Sequence, residues 1–194
     1  MIVVTEEQLA FIMPSAKRKA DIAEALTDSM DRFGIDTRDE VAAFIANLAH
    51  ESGEYRWMQE IWGPTSEQRT YERDFSKPWG PQLRRGDRNF KAYTLGNDEP
   101  GDGRKFSGHG PVQITGKTNH VIMGFVLELD LLEDPLALTD IYIGTAAAAA
   151  FWYNNNLDDK LKQGFVRVVR AINGGTNGLA DRKKYLERCL RVIQ

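Results

Sequence analysis

The stretch from Thr37 to Gly53 constrains this chain more than any other. Thr37-Arg38-Asp39-Glu40 has the form of a capping box, in which a Thr and a Glu three residues on satisfy each other's backbone amides at a helix start. Val41, Phe44, Ile45 and Leu48 then recur at i, i+3, i+4 and i+7, lining one helix face with apolar groups. Gly53 supplies a C-cap. A helix patterned in this way has to dock into a core. It also brings Glu51 round onto the apolar face, because Glu51 follows Leu48 by three residues and Phe44 by seven.

Similar signals predict helices on either side. Thr5-Glu6-Glu7-Gln8 is a second capping box, opening a short helix that runs to Met13 and is stopped by Pro14. A helix over 16–33 carries Ile22, Leu26, Met30 and Phe33 on one face, with Gly34 just past its end. Farther on, Thr145 to Trp152, with five consecutive alanines, suits a closely packed core helix that ends at Asn154-Asn155-Asn156. Val166 to Ile172 and Leu179 to Ile193 read as two more, separated by Asn173-Gly174-Gly175-Thr176-Asn177-Gly178. Between residues 55 and 110 Gly and Pro punctuate a segment rich in Tyr, Trp and Phe, which predicts short strands and long loops. The expected architecture is mainly α, of the α+β kind: one domain spanning 1–194, with a helical core, a loop and short-strand cleft region, and no separate wall-binding domain.

The chain has 194 residues, 42% of them hydrophobic and 27% charged, as in ordinary globular proteins. No run approaches the roughly 20 apolar residues of a membrane span. A single cysteine, Cys189, excludes an intrachain disulfide and fits a reducing compartment. The N-terminus lacks the basic and apolar regions of a signal peptide, so a cytoplasmic site of accumulation is expected. The net charge of −3 is unevenly spread: the segment from Lys160 onward carries +7 and the rest −10. Such a basic end segment suits contact with an anionic envelope, although a solvated helix face would look the same. Overall negative charge argues against a nucleic-acid partner.

For chemistry the informative residue is Glu51. Partial desolvation and the negative end of the helix dipole both favour a carboxyl that keeps its proton near neutral pH, which a general acid requires. A solvated glutamate in a fraying last turn would give the same spacing. A second carboxylate, Glu60, lies nine residues on, and two carboxylates facing across a cleft can act as acid and base in glycoside hydrolysis. With 28 acidic residues, spacing alone does not single out this pair. His50-Glu51-Ser52-Gly53-Glu54 resembles the start of a zinc-protease helix motif, but Glu54 stands where a second His is needed. His50, His109 and His120 are scattered, so no metal is expected, and no cofactor either. Neither a Gly-x-Ser-x-Gly elbow nor a phosphate loop is present.

Several ordered stretches resemble glycoside hydrolase family 19, the chitinase-like group, and within it the small phage-type endolysin branch. They are Ala49 to Gly53, Gly108 to His120, Ala148 to Trp152, and Ile172 to Gly178 followed by Asp181-Arg182, with Ile12-Met13-Pro14 and Phe33-Gly34-Ile35 near the N-terminus. The resemblance implies a lysozyme-like domain. It implies that Glu51 is the general acid, that Glu60 is the base that activates water, and that Thr115 helps to hold that water. It places Gln113 and Asn119 on the sugar, with Asn173 and Arg182 lining the cleft and orienting the carboxylates. Read as structure alone, Gln113 and Thr115 would be strand residues, Asn173 a turn residue and Arg182 a surface cation. Trp57, Trp62 and Tyr93 are candidates to stack on sugar faces, or else ordinary packing. Two departures flank the site: His109 stands where the family usually has Arg, and His120 where it often has Tyr.

The implied activity is inverting hydrolysis of β-1,4 bonds in the glycan strands of peptidoglycan by a monomer. An endolysin would accumulate in the host cytoplasm and reach the wall through a holin-type lesion. A chitinase of the same mechanism, a wall-binding protein without catalysis, and a membrane-active basic end segment are the alternatives.

Overall fold

The computed structural model describes residues 2–194, which fold into ten α-helices and two short 3₁₀ segments. Helix α1 (Glu6–Ile12) and α3 (Arg38–Glu51) both begin in the expected capping boxes, with Thr5 and Gln8, and Thr37 and Glu40, exchanging side-chain and backbone hydrogen bonds. Helix α2 (Lys19–Phe33) starts three residues later than its apolar spacing predicts, because Arg18 adopts a left-handed conformation (φ 54°) that breaks the first turn. Gly34 closes it at φ 69° as expected.

Helix α3 forms the axis of the core. Every residue from Val41 to Ala49 is buried, which takes a neighbour on all sides. Helix α10 (Leu179–Val192) lies along it, and α7 (Ile141–Asn154) and α8 (Leu157–Lys162) also touch it, while α2 packs on α7. The small side chains of α7 allow close approach: Ala147 to Ala150 are buried, and Trp152 meets the Phe44 ring edge-on at 5.6 Å. A Cβ on Gly144 would lie 2.5 Å from the Leu138 carbonyl, so only Gly fits there.

Instead of the short strands expected between 55 and 110, the described residues hold only isolated antiparallel bridges, Gln59 to His109 and His109 to Ile114. Short helices take the rest: a 3₁₀ turn over Gln68–Tyr71, α4 (Phe90–Leu95) and α5 (Asp102–Lys105). The backbone of this segment is satisfied by buried side chains in place of a ladder. Asn89 bonds the amide of Asp74 and the carbonyls of Asp74 and Pro78, while Glu72 accepts the amides of Gly101 and Gly103. Helix α6 (Lys117–Leu127) and α9 (Phe165–Asn173) complete the chain. Among the described residues no helix is long and apolar enough to cross a membrane.

Candidate active site

Glu51 ends α3, and α10 closes over that end. Arg182, in the first turn of α10, is 1% exposed. One of its terminal nitrogens donates to Asn47 Oδ1 at 2.7 Å and the other to Glu51 Oε1. Asn47 is fixed for this task, since its Nδ2 donates to the Ala43 carbonyl one turn back, which leaves Oδ1 to face the guanidinium. The same face of α10 makes two further contacts: Asp181 with His50 Nδ1 at 2.8 Å, and the Tyr185 hydroxyl donating to Glu54 Oε1 at 2.8 Å. Glu54 Oε2 accepts the Ser15 amide. Burial, and then the neighbouring Glu54 carboxylate, push the Tyr185 hydroxyl well above its ordinary value.

One expectation is corrected here, and one alternative is set aside. Glu51 does not sit in an apolar setting; it lies against a buried guanidinium and keeps 22% of its side chain open to water. Arg182, readable as a surface cation, is the largest fully buried side chain. The physical reason is shared: docking α10 on α3 encloses the arginine, and a buried cation needs an anion and hydrogen-bond acceptors beside it.

The chain then reverses sharply. Ser52 caps α3, and Gly53, Glu54 and Tyr55 all take positive φ, between 56° and 63°. Left-handed backbone is costly for Glu and Tyr, about 1–2 kcal/mol each. The conformation is held by buried contacts: Ser52 Oγ accepts the Tyr55 amide, and the Tyr55 hydroxyl bonds Thr145 at 3.0 Å. The Trp57 indole, half exposed, lies over Gly53, where a Cβ would meet it at 2.8 Å.

Glu60 is anchored separately. Residues 58–60 pair with 108–110, through Glu60 N–H to the Gly108 carbonyl at 2.7 Å and Gly110 N–H to the Met58 carbonyl at 2.8 Å. Both carboxylate oxygens accept hydrogen bonds at 2.9 Å, Oε2 from the Gly108 amide and Oε1 from Gln68 Nε2. Gln68 is itself buried, its Oε1 accepting the amides of Gly63 and Thr65. Glu60 opens on a polar cleft of about 280 Å³ lined also by Gln59, Trp62, Arg104 and Ser107. The Tyr71 hydroxyl nearby is pushed up to about 12 by burial and then by the charges of Glu60 and Glu67.

Gln113 links the two regions. Held at φ 53°, it donates from Nε2 to the carbonyls of Gly110 at 2.9 Å and Trp57 at 3.4 Å. A side chain on Gly108 would strike Gln113 Oε1 at 2.6 Å. The Thr115 hydroxyl donates to the Gln113 carbonyl at 2.9 Å, and Asn119 Nδ2 to the Thr115 carbonyl at 2.7 Å. Glu51 and Arg182 thus form one cluster, and Trp57, Gln113, Thr115 and Asn119 a connected second one. Tyr93, on α4, meets Trp79 edge-on at 5.1 Å, and Asn173 spends its amide on Asn177 and Gly175. Among the described residues neither Tyr93 nor Asn173 hydrogen-bonds to either cluster. Sequence reasoning missed Asn47, Gln68, Glu54 and Tyr185; Asn47, Glu54 and Tyr185 meet partners far away in the chain, and no local pattern marks them.

The two histidines that depart from the family pattern touch each other. His120 Nδ1 lies 2.9 Å from the Gly116 carbonyl, and His120 Nε2 lies 3.1 Å from His109 Nδ1. A carbonyl can only accept, so His120 carries its proton on Nδ1 and accepts at Nε2; His109 then donates from Nδ1 and is bare at Nε2. Both rings are at most 1% exposed. Burial, and secondarily the His120 ring, push His109 down to about 4; burial lowers His120 as well. Among the described residues no group of His, Cys, Asp and Glu is placed to hold a metal.

A helical core with a carboxylate at the end of its central helix, and a second on the loop that follows, is a lysozyme-like architecture. The chain belongs to glycoside hydrolase family 19, the chitinase-like group. A family 19 domain-containing protein of Haemophilus influenzae is similar over 205 residues at 29% identity, covering 98% of this chain and 97% of that protein. Chitinase 4 of Oryza sativa subsp. japonica is 32% identical over 145 residues, covering 74% of this chain. The chain spans 43% of the length of that plant relative. No family model matches the chain. Among solved structures, chitinase C from Streptomyces griseus superposes with a TM-score of 0.66 at 21% identity, covering 99% of this chain and 78% of that one. A class IV chitinase from Zea mays gives 0.59 at 24% identity, covering 94% of this chain and 85% of that one.

Proposed function

We propose that this chain hydrolyses β-1,4-glycosidic bonds in the glycan strands of bacterial peptidoglycan, as an endolysin-type enzyme. The observation that carries the reading is the pair of carboxylates anchored in unlike ways. Glu51 has one oxygen on Arg182 and the other without a hydrogen-bond partner among the described residues. Glu60 has both oxygens on N–H donors. Glu51 is the group that delivers a proton to the glycosidic oxygen. Glu60 takes a proton from a water that attacks the anomeric carbon from the opposite face, which inverts its configuration. Thr115 spends its own proton on the Gln113 carbonyl, so its oxygen is free to accept one from that water. Gln113, Asn119 and Asn173 line the sugar path, Arg182 orients Glu51 from beneath the surface, and Trp57 and Tyr93 offer ring faces to apolar sugar surfaces. The enzyme acts as a monomer. It accumulates in the host cytoplasm and meets the wall once the inner membrane is breached.

Purified sacculi test this directly. Wild-type protein should release reducing ends, and mass spectrometry of the fragments identifies the terminal sugar. Glu51→Gln and Glu60→Gln should each lower turnover at least a hundredfold in the folded fraction, and Glu51→Gln should also lower the melting temperature, because it leaves the buried Arg182 without its anion. Undiminished lysis by either variant sinks the assignment. Cleavage of chitin oligomers with intact sacculi would instead favour a chitinase, the reading supported by the names of the plant and Streptomyces relatives. Protein expressed in a bacterial cytoplasm should leave cells whole until the inner membrane is permeabilised.

A further inference from the structure

Beside the cleft that holds Glu60 lies a second, of about 400 Å³. Arg104 and Gln59 line both. Arg104 and Lys105, at the end of α5, contribute two cations to the second cleft; Glu133 and Asp134, in the turn before the 3₁₀ segment Pro135–Thr139, contribute two carboxylates. All four are exposed, and among the described residues none of their side chains enters an ion pair or a hydrogen bond. In other places opposite charges do pair: Lys117 with Asp98 and Asp102, Arg182 with Glu51. His109 also lines this cleft, and the proton assignment above leaves its Nε2 a lone-pair acceptor with no hydrogen-bond partner among the described residues.

A cleft with unpaired charges of both signs and a ring-nitrogen acceptor is poorly matched to a neutral N-acetyl sugar. It suits a group that carries a carboxylate and an amine together. We infer that this second cleft receives the peptide branch of the glycan, with Arg104 and Lys105 taking its carboxylates and Glu133 and Asp134 its ammonium group. This rests on the reading of peptidoglycan as substrate. It makes Arg104 and Lys105 binding residues that select a peptide-bearing strand over plain chitin. Exposed charge contacts of this kind weaken as salt rises.

The test uses one glycan in two charge states: soluble peptidoglycan strands with native stems, and the same strands after amidation of the stem carboxylates. Wild-type kcat/KM should fall about tenfold on the amidated strands, through KM, and the gap should shrink at high salt. A double variant, Arg104→Gln with Lys105→Gln, should treat the two substrates alike. Discrimination by the double variant equal to that of the wild type overturns the inference, as does an equal loss on both substrates. Wild-type protein that cuts neither strand overturns the reading of peptidoglycan as substrate instead.

Discussion

Acid should loosen this fold through the His109–His120 pair. Burial holds His109 neutral until about pH 4, against an ordinary value of 6.5. The unfolded chain therefore binds a proton at this position between those pH values and the native chain does not. Stability is fully present above pH 6.5 and is lost progressively as pH falls to 4. Complete passage through the window costs about 3 kcal/mol for this one ring. At pH 4.5 most of that is gone, about 2–3 kcal/mol, or about 4–12 °C in Tm for a domain of this size. The direct mechanism is burial of charge: the second proton goes on Nε2, the ring nitrogen left bare, and makes a cation of a side chain that is 1% exposed. Urea unfolding at pH 7.5 and 4.5 measures the loss. His109→Asn keeps an N–H donor near the Nδ1 position and removes the titrating ring. The variant should be less stable at pH 7.5, but should lose about 2–3 kcal/mol less than wild type on acidification. An equal acid-induced loss in both proteins would refute the argument, as would a His109 ring proton titrating by NMR near pH 6.5.

Two further outcomes follow from the α3–α10 contact. Arg182→Met leaves Asn47 and Glu51 without their donor; removing one partner of a buried pair costs about 3–5 kcal/mol, and partial exposure of Glu51 places this case near the lower figure. Thermal melts should show a fall of about 6–12 °C, and a fall of under 2 °C would mean the contact is slack. Gly178→Ala forces a Cβ to within 2.1 Å of His50 Nε2 at φ 71°, so His50 must leave Asp181. Destabilisation of at least 1–2 kcal/mol is expected, with loss of turnover beyond what the folded fraction explains; full activity in the folded fraction would show that the Glu51 turn does not depend on this neighbour.

The helical scaffold was readable because its signals are local. Capping boxes at Thr5 and Thr37, the stripe from Val41 to Leu48 and the glycine after Phe33 all act within one or two turns. Helix α6 escaped notice for a comparable reason: Val121, Ile122 and Phe125 are exposed, Phe125 at 86%, so apolar residues surround the helix and blur its buried side. The cleft segment misled because aromatic and glycine-rich composition suits strands, whereas its backbone is satisfied by Asn89, Glu72 and Gln68 from a distance. Glu51 and Glu60 emerged from family resemblance, and position supported only the first. What surrounds them stayed hidden. The burial of Arg182 and the meeting of His109 with His120 are settled by how helices dock, and an arginine on a basic helix gives no advance sign of being enclosed.

The bond between Arg182 and Glu51 joins positions 131 residues apart. Ribosomal synthesis delivers the acidic half of that bond long before its basic half. A polypeptide still lacking α10 has the glutamate but not the clasp that steadies it, so on the proposed reading a partly made or C-terminally clipped molecule would be inert towards the wall of the cell producing it.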